Sequence, residues 1–221
     1  MPETVQSVDP AVTRAKFDRE VGRFRDQEAS YRRRGILMQE VAFPTVTIAF
    51  CGFRMKPAPL LGAVRIDFTD YDLMPPSVRF VDPLTHEKLL TKDLTLALLR
   101  LPKVEGTPRE AVIAMMAQGI PIAQPGNLVQ SGGPDEVPFL CLPGVREYHE
   151  HPAHTGDSWL LHRASGEGCL AFIVENIWKY GPNTMERYLI QVATEAEGLR
   201  VQAQVEAQRI QIGASLTALS E

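Results

Sequence analysis

A chain of 221 residues, 44% hydrophobic and 23% charged, has enough apolar mass to bury a core, as one domain with an insertion or as two small ones. Its formal net charge of −4 argues against a nucleic-acid-binding surface, which needs a basic footprint, and three widely spaced cysteines do not make a disulfide framework. The opening MPETVQSVDP lacks a signal-peptide layout and no apolar run reaches the length of a membrane span, so the expectation is a soluble, reduced, cytoplasmic protein.

Asp9-Pro10 opens a helix, an Asp cap followed by Pro at the first helical position. Phe17, Val21, Phe24 and Tyr31 recur at helical spacing, and Arg32-Arg33-Arg34 with Gly35 close the helix, the cations facing the negative end of its dipole. The same arginine run could instead meet an acidic partner. From Ile36 the period switches to two. Residues 36–43, 46–50, 64–68 and 78–80 read as four short strands, with Arg65 and Asp67 facing out while Val64, Ile66 and Phe68 face in. The implied architecture is α+β, an antiparallel four-strand meander with one wet face, laid over the opening helix. Before the fourth strand, Pro75-Pro76 forces an extended segment poor in hydrogen bonds. A leucine-rich stretch (88–101) follows, then a helix opened by the capping-box pattern Thr107-Pro108-Arg109-Glu110 and ended at Gly119, then a Gly- and Pro-rich loop to Pro138.

Residues 139–163 hold four of the five histidines and one of the three cysteines. Cys141, Glu147, His149, His151 and His154 offer the thiolate, carboxylate and imidazole donors that zinc takes in tetrahedral sites. If 147–151 is extended, Glu147, His149 and His151 point to one side, Pro152 ends the strand, and the Pro143-Gly144 turn folds the thiol onto the imidazoles. Alternatively Cys141 is a small buried hydrophobe on a strand, Phe139 to Leu142. His162 reads as structural, Asp157 as support for the donors and Trp159 as packing. His149-x-His151-x-x-His154 matches part of the metallo-β-lactamase signature, but Ala153 stands where that signature has aspartate. Beyond the cluster, Trp159 to Leu161 and Cys169 to Val174 read as strands. Asn183-Thr184-Met185-Glu186 reads as a second capping box, opening a helix that carries Leu189, Val192, Ala193, Ala196 and Leu199 on one side.

A helix, a four-strand meander and a tyrosine leading to Pro-Pro-x-Val-x-Phe (Tyr71 to Phe80) resemble the ubiquitin-conjugating-enzyme fold over residues 14–81. Cys141, in Phe-Leu-Cys-Leu, lies where that family carries its catalytic cysteine, although no His-Pro-Asn triplet precedes it. The resemblance implies one such domain over 1–221, with an insertion at 83–137 and a helical arm at 183–212. The stretch from 141 to 159 is similar to a bacterial family predicted to bind metal through a cysteine, a glutamate and two histidines. Its members are encoded beside ubiquitin-like proteins and their activating and conjugating enzymes in defence-associated operons. The matching residues here are Cys141, Glu147 and two of His149, His151 and His154.

The resulting expectation is a zinc-binding component of ubiquitin-like protein conjugation, partnered by a ubiquitin-like protein and its enzymes. Two alternatives stand beside it. In one, Cys141 carries the ubiquitin-like protein as a thioester, with His149 or His154 as base. In the other, a stand-alone zinc hydrolase uses Glu147 or Glu150 as base.

Overall fold

The computed structural model describes residues 7–185, 187–196 and 199–208, and the fold is α+β. Helix α1 (Pro10–Asp26) starts where Asp9 accepts a hydrogen bond from the amide of Ala11 at 2.8 Å. The expected single helix is broken at Gln27. A second, short helix α2 (Glu28–Arg33) carries Tyr31 on, and Gly35, at φ +74°, reverses the chain. Strands β1 (Ile36–Ala42), β2 (Thr45–Cys51), β3 (Leu60–Asp67) and β4 (Ser77–Val81) form an antiparallel sheet in sequential order. The register puts Ile48 opposite Val64 and Ile66 opposite Val78, so the apolar positions of all three strands share one face.

That face meets α1. Phe17, Val21, Phe24 and Tyr31 are buried with Ile36, Ile48, Phe50, Val64, Ile66, Phe68 and Phe80, and Phe17 makes edge contacts with Phe43 and Phe68. The opposite face is less wet than alternation suggests. Arg65 and Asp67 are half-buried there, and Ala49, Ala63 and Val81 form a small buried patch against Leu37.

Beyond β4 the inserted segment is short ladders rather than a separate layer. Strand β5 (Leu99–Arg100), helix α3 (Arg109–Ala117) and strands β6 (Gly126–Asn127), β7 (Val129–Gln130) and β8 (Phe139–Leu140) follow, with β5 paired to β6 and β7 to β8. Its Leu96, Leu98, Leu128 and Val129 belong to the same core. The predicted capping box at Thr107 does not form: no side chain caps α3, and the carbonyl of Pro108 takes the amides of Ala111 and Val112.

The later chain departs most from expectation. Helices α4 (Arg146–Glu150), α5 (Trp159–His162) and α6 (Leu170–Tyr180) stand where strands were expected. In α6, Leu170, Ile173, Val174 and Ile177 are buried at the i, i+3, i+4, i+7 spacing of one helical face. Its first amides are served by two side chains. Cys169 Sγ accepts from Phe172 N at 3.4 Å, and Glu20 of α1, itself buried, accepts from Leu170 N at 3.3 Å. The second half of α6 is clamped to the residue that ends α2: Arg34 pairs in two-pronged fashion with Glu175 and lies 3.9 Å from the Trp178 ring centre, and Trp178 Nε1 donates to Arg34 O at 3.0 Å. The helix expected over 183–212 is a hairpin instead, β9 (Arg187–Ala196) antiparallel to β10 (Leu199–Gln208), while 209–212 lie outside the described residues. Asn183, the expected cap, is left with its buried side-chain oxygen unpartnered. Among the described residues no helix is long and apolar enough to cross a membrane.

Candidate functional site

Cys141 follows β8 directly, and its amide donates to Leu128 O of the inserted segment at 2.7 Å. Strand pairing therefore ends one residue before the thiol, and Pro143-Gly144 turns the chain into α4. Gly144 sits at φ +88°, and a Cβ there would lie 2.3 Å from Gly168 N. The turn is thus packed backbone to backbone against the residues that precede α6, where only glycine fits.

Helix α4 is tied to the sheet by its first two side chains. Arg146 donates to Pro75 O (3.1 Å) and Thr69 O (2.6 Å), and its amide donates to Pro76 O at 2.9 Å. These bonds satisfy carbonyls of the double-proline segment that no strand reaches. Glu147 accepts from the Ser77 hydroxyl and from Val78 N at 3.1 Å, and pairs with Arg79 at 3.1 Å. Its carboxylate covers the free side of β4, the last strand of the sheet. Residues 147–151 were expected to be extended. Residues 147–150 are helical instead, anchored in their first turn by the contacts of the adjacent Arg146 and Glu147, and the helix stops at Glu150 because His151 precedes Pro152 and takes an extended conformation (φ −75°, ψ 132°).

One helical turn sends the five expected donors different ways. Cys141 Sγ and His154 Nε2 are 3.3 Å apart, His154 being carried by the short turn Pro152–His154. His149 is used on both nitrogens: Gly144 N donates to Nε2 at 3.1 Å, and Nδ1 donates to Asp157 O at 2.8 Å. His151 stacks on Phe139 with centroids 5.0 Å apart, and its Nδ1 accepts from Ala153 N. Glu147 is engaged by β4. Among the described residues, no group of three His, Cys, Asp or Glu side chains is arranged to hold a metal ion.

Behind the pair runs a network that spacing in the sequence did not reveal. The Tyr148 ring stacks on His154, centroids 3.9 Å apart and planes 23° apart. The Tyr148 hydroxyl donates to Asp157 Oδ2 at 2.6 Å, and Asp157 Oδ1 meets His162 Nε2 at 2.6 Å. The other nitrogen of His162 contacts Glu167. Burial and the Asp157 acceptor push the Tyr148 hydroxyl up to about 12, so it remains a donor. The hydrogen bond to Asp157, then the one to Glu167, raise His162 above the ordinary imidazole value, while the bonds from Tyr148 and His162 hold Asp157 below the usual carboxylate range. Burial raises the Cys141 thiol. Burial thus favours the thiol over the thiolate where the sulfur faces the imidazole. Trp159 closes the floor, donating from Nε1 to Asp72 O at 3.0 Å with its ring 5.8 Å from that of His149. A cavity of about 420 Å³ between residues 99–107 and the end of α6 is lined by none of these groups.

The fold and site define a class: an α+β protein whose antiparallel sheet and flanking helices hold one half-buried cysteine against a histidine. Within that class the chain belongs to the Y4jH family, described as Y4jH-like, which it matches over residues 8–185. A protein of Sinorhizobium fredii that carries the name "Uncharacterized protein y4jH" is 47% identical over 204 residues, covering 92% of this chain and 98% of that relative.

Proposed function

We propose that this chain is a component of a bacterial ubiquitin-like conjugation pathway with a conjugating-enzyme-like fold, and that Cys141 carries the ubiquitin-like protein as a thioester while His154 handles the proton. The single observation behind this reading is the 3.3 Å contact between Cys141 Sγ and His154 Nε2. Of the two histidines considered as base, His149 has both nitrogens committed to backbone groups, which leaves His154. The helix on an antiparallel four-strand meander, with the double proline tied to the site by Arg146, supports the fold likeness.

The step is a transthiolation. Cys141 gives its proton to His154 Nε2 as sulfur attacks the thioester carbonyl that joins the ubiquitin-like protein to its activating enzyme. The new carbon–sulfur bond forms, the old one breaks, and the departing thiolate takes the proton from His154. Incubation with ATP and the activating enzyme and ubiquitin-like protein of the same genome should give a reductant-sensitive adduct. Cys141→Ser should abolish it and His154→Ala should slow its formation about 100-fold. No adduct in the wild type overturns the reading.

The same contact favours a second reading. A thiol and an imidazole side by side are two donors of the kind zinc takes, and the His151 ring, 5.7 Å from that of His154, would be the third only after leaving Phe139 and Ala153 N. The full set of five does not fit around one ion as the side chains stand, because Glu147 and His149 are bound elsewhere. Zinc, when bound, would hold Cys141 as thiolate. Near-stoichiometric zinc in natively purified protein, lost in both Cys141→Ala and His151→Ala, selects this reading. Metal-free protein that forms the adduct rejects it. The hydrolase alternative loses its first base, since Glu147 is occupied by Ser77, Val78 and Arg79.

A further inference from the structure

We propose that Tyr148 is a positioning residue for this site: its aromatic face holds the His154 imidazole in the orientation that keeps Nε2 on the Cys141 sulfur. The proposal rests on Cys141 and His154 acting as a pair, and adds what keeps them one. His154 sits at the end of a three-residue turn, on a segment bounded by Pro152 and Gly156, so its own backbone offers little to fix the ring. Its hydrogen bond to sulfur is 3.3 Å long, and a thiol is a weak partner for restraining an imidazole.

The stack supplies the restraint. At 3.9 Å between centroids and 23° between planes, rotation of the imidazole about its ring-bearing bond would drive it into the phenol. The phenol is itself fixed. Its hydroxyl donates to Asp157 at 2.6 Å, and Asp157 is held from its other oxygen by His162, which Glu167 holds in turn. Tyr148 also makes an edge contact with His149, centroids 5.0 Å apart at 87°, and His149 is pinned to the backbone at both nitrogens. The ring under His154 is thus the end of a chain of fixed groups.

The stack also has an electronic consequence. When Cys141 gives up its proton, His154 becomes an imidazolium lying over an electron-rich face, and the attraction of a cation for that face favours the form the reaction needs. Tyr148 touches neither sulfur nor substrate in this scheme and acts only through His154.

The test is the rate at which iodoacetamide alkylates Cys141 near neutral pH, followed by mass spectrometry peptide by peptide. Cys51, which is partly buried, serves as an internal reference. Tyr148→Ala should slow Cys141 about tenfold, to the level of His154→Ala, while Cys51 is unchanged. Tyr148→Phe keeps the aromatic face and its edge contact with His149 but loses the anchor on Asp157, so it should be slowed only about two- to threefold, clearly less than Tyr148→Ala. If Tyr148→Ala does not fold, Tyr148→Leu, which fills the space without an aromatic face, replaces it and should be as slow. A wild-type rate in the folded Ala or Leu variant, or a Phe variant as slow as either, overturns the positioning role while a slow His154→Ala leaves the pair intact. A wild-type rate in His154→Ala removes the pair itself, and the positioning role with it.

Discussion

The region built from α1, the sheet and α6 and the region from 139 to 168 are held together by different physics. The first is a continuous apolar core in which Phe17, Ile48, Ile66, Phe80 and Ile173 are each almost wholly buried. The second has few such residues. Tyr148, His149, His151 and His154 are only half-buried, and they are placed by hydrogen bonds and ring stacks that end on carboxylates and backbone. Burial fixes where a helix lies but is indifferent to which way a ring faces. Hydrogen bonds fix directions, and directed groups are what a thiol and its base require. The difference is a division of labour: one region sets stability, the other sets geometry.

Changes that separate the two regions test that division. The largest effect on stability should come from Phe17→Ala, which empties a core position at the crossing of α1 with Phe43 and Phe68 and should cost about 3–5 kcal/mol in chemical denaturation. Cys141 alkylation in the folded fraction should not change. A faster thiol in that variant would break the comparison. Arg34→Ala loses the two hydrogen bonds to Glu175 and the stack on Trp178. Both groups are partly exposed, so about 1–2 kcal/mol is expected, again with the thiol unaffected. Glu147→Gln lies on the seam between the regions. It weakens charge-assisted contacts to Ser77, Val78 and Arg79 and should cost about 1–2 kcal/mol by the same assay, with a small change in Cys141 reactivity because α4 carries Tyr148.

The smallest effect is on pH dependence. His162 has a folded pKa raised above its ordinary 6.5, so its contribution is fully present below about pH 6.5 and is lost as pH rises through the higher folded value. Wild-type stability should therefore decline on raising pH through that window, and His162→Gln should flatten the slope. An unchanged slope in the variant would show that the imidazole between Asp157 and Glu167 adds nothing to stability.

The same division explains what could be read in advance. The α1 cap at Asp9 and the alternation of Val64, Ile66 and Phe68 are local patterns enforced by burial: the start of α1 and all four sheet strands lie within a few residues of their expected places, while the expected single helix breaks at Gln27. Helix α6 was mistaken for a strand because Cys169 to Val174 is a short apolar run. Only its continuation through Ile177 to Tyr180 shows the helical stripe. The hairpin after residue 186 was mistaken for a helix because an Asn-Thr-Met-Glu pattern suggests a cap, although Ile190, Val192 and Thr194 alternate in the manner of a strand. At the site, the crowding of Cys141 with histidines was visible, and one of the pairings it suggested is present. The rest turned on whether 147–151 is helix or strand. That choice is set by Glu147 and Arg146 reaching partners some seventy residues earlier, which no local pattern encodes. Tyr148 carries no sequence signal, being a single aromatic residue between Glu147 and His149.

Gly144 and Gly168 touch through their backbones, and Gly168 also abuts the Trp159 ring. Neither position can gain a side chain unless its surroundings yield, so the two are sterically coupled. A methyl at residue 144 would push on the residues just before Leu170, the first residue of a helix seated deep among phenylalanines. The loop bearing the thiol and the keel of the molecule are in this way mechanically geared, and a single-residue scan across both should find them intolerant together.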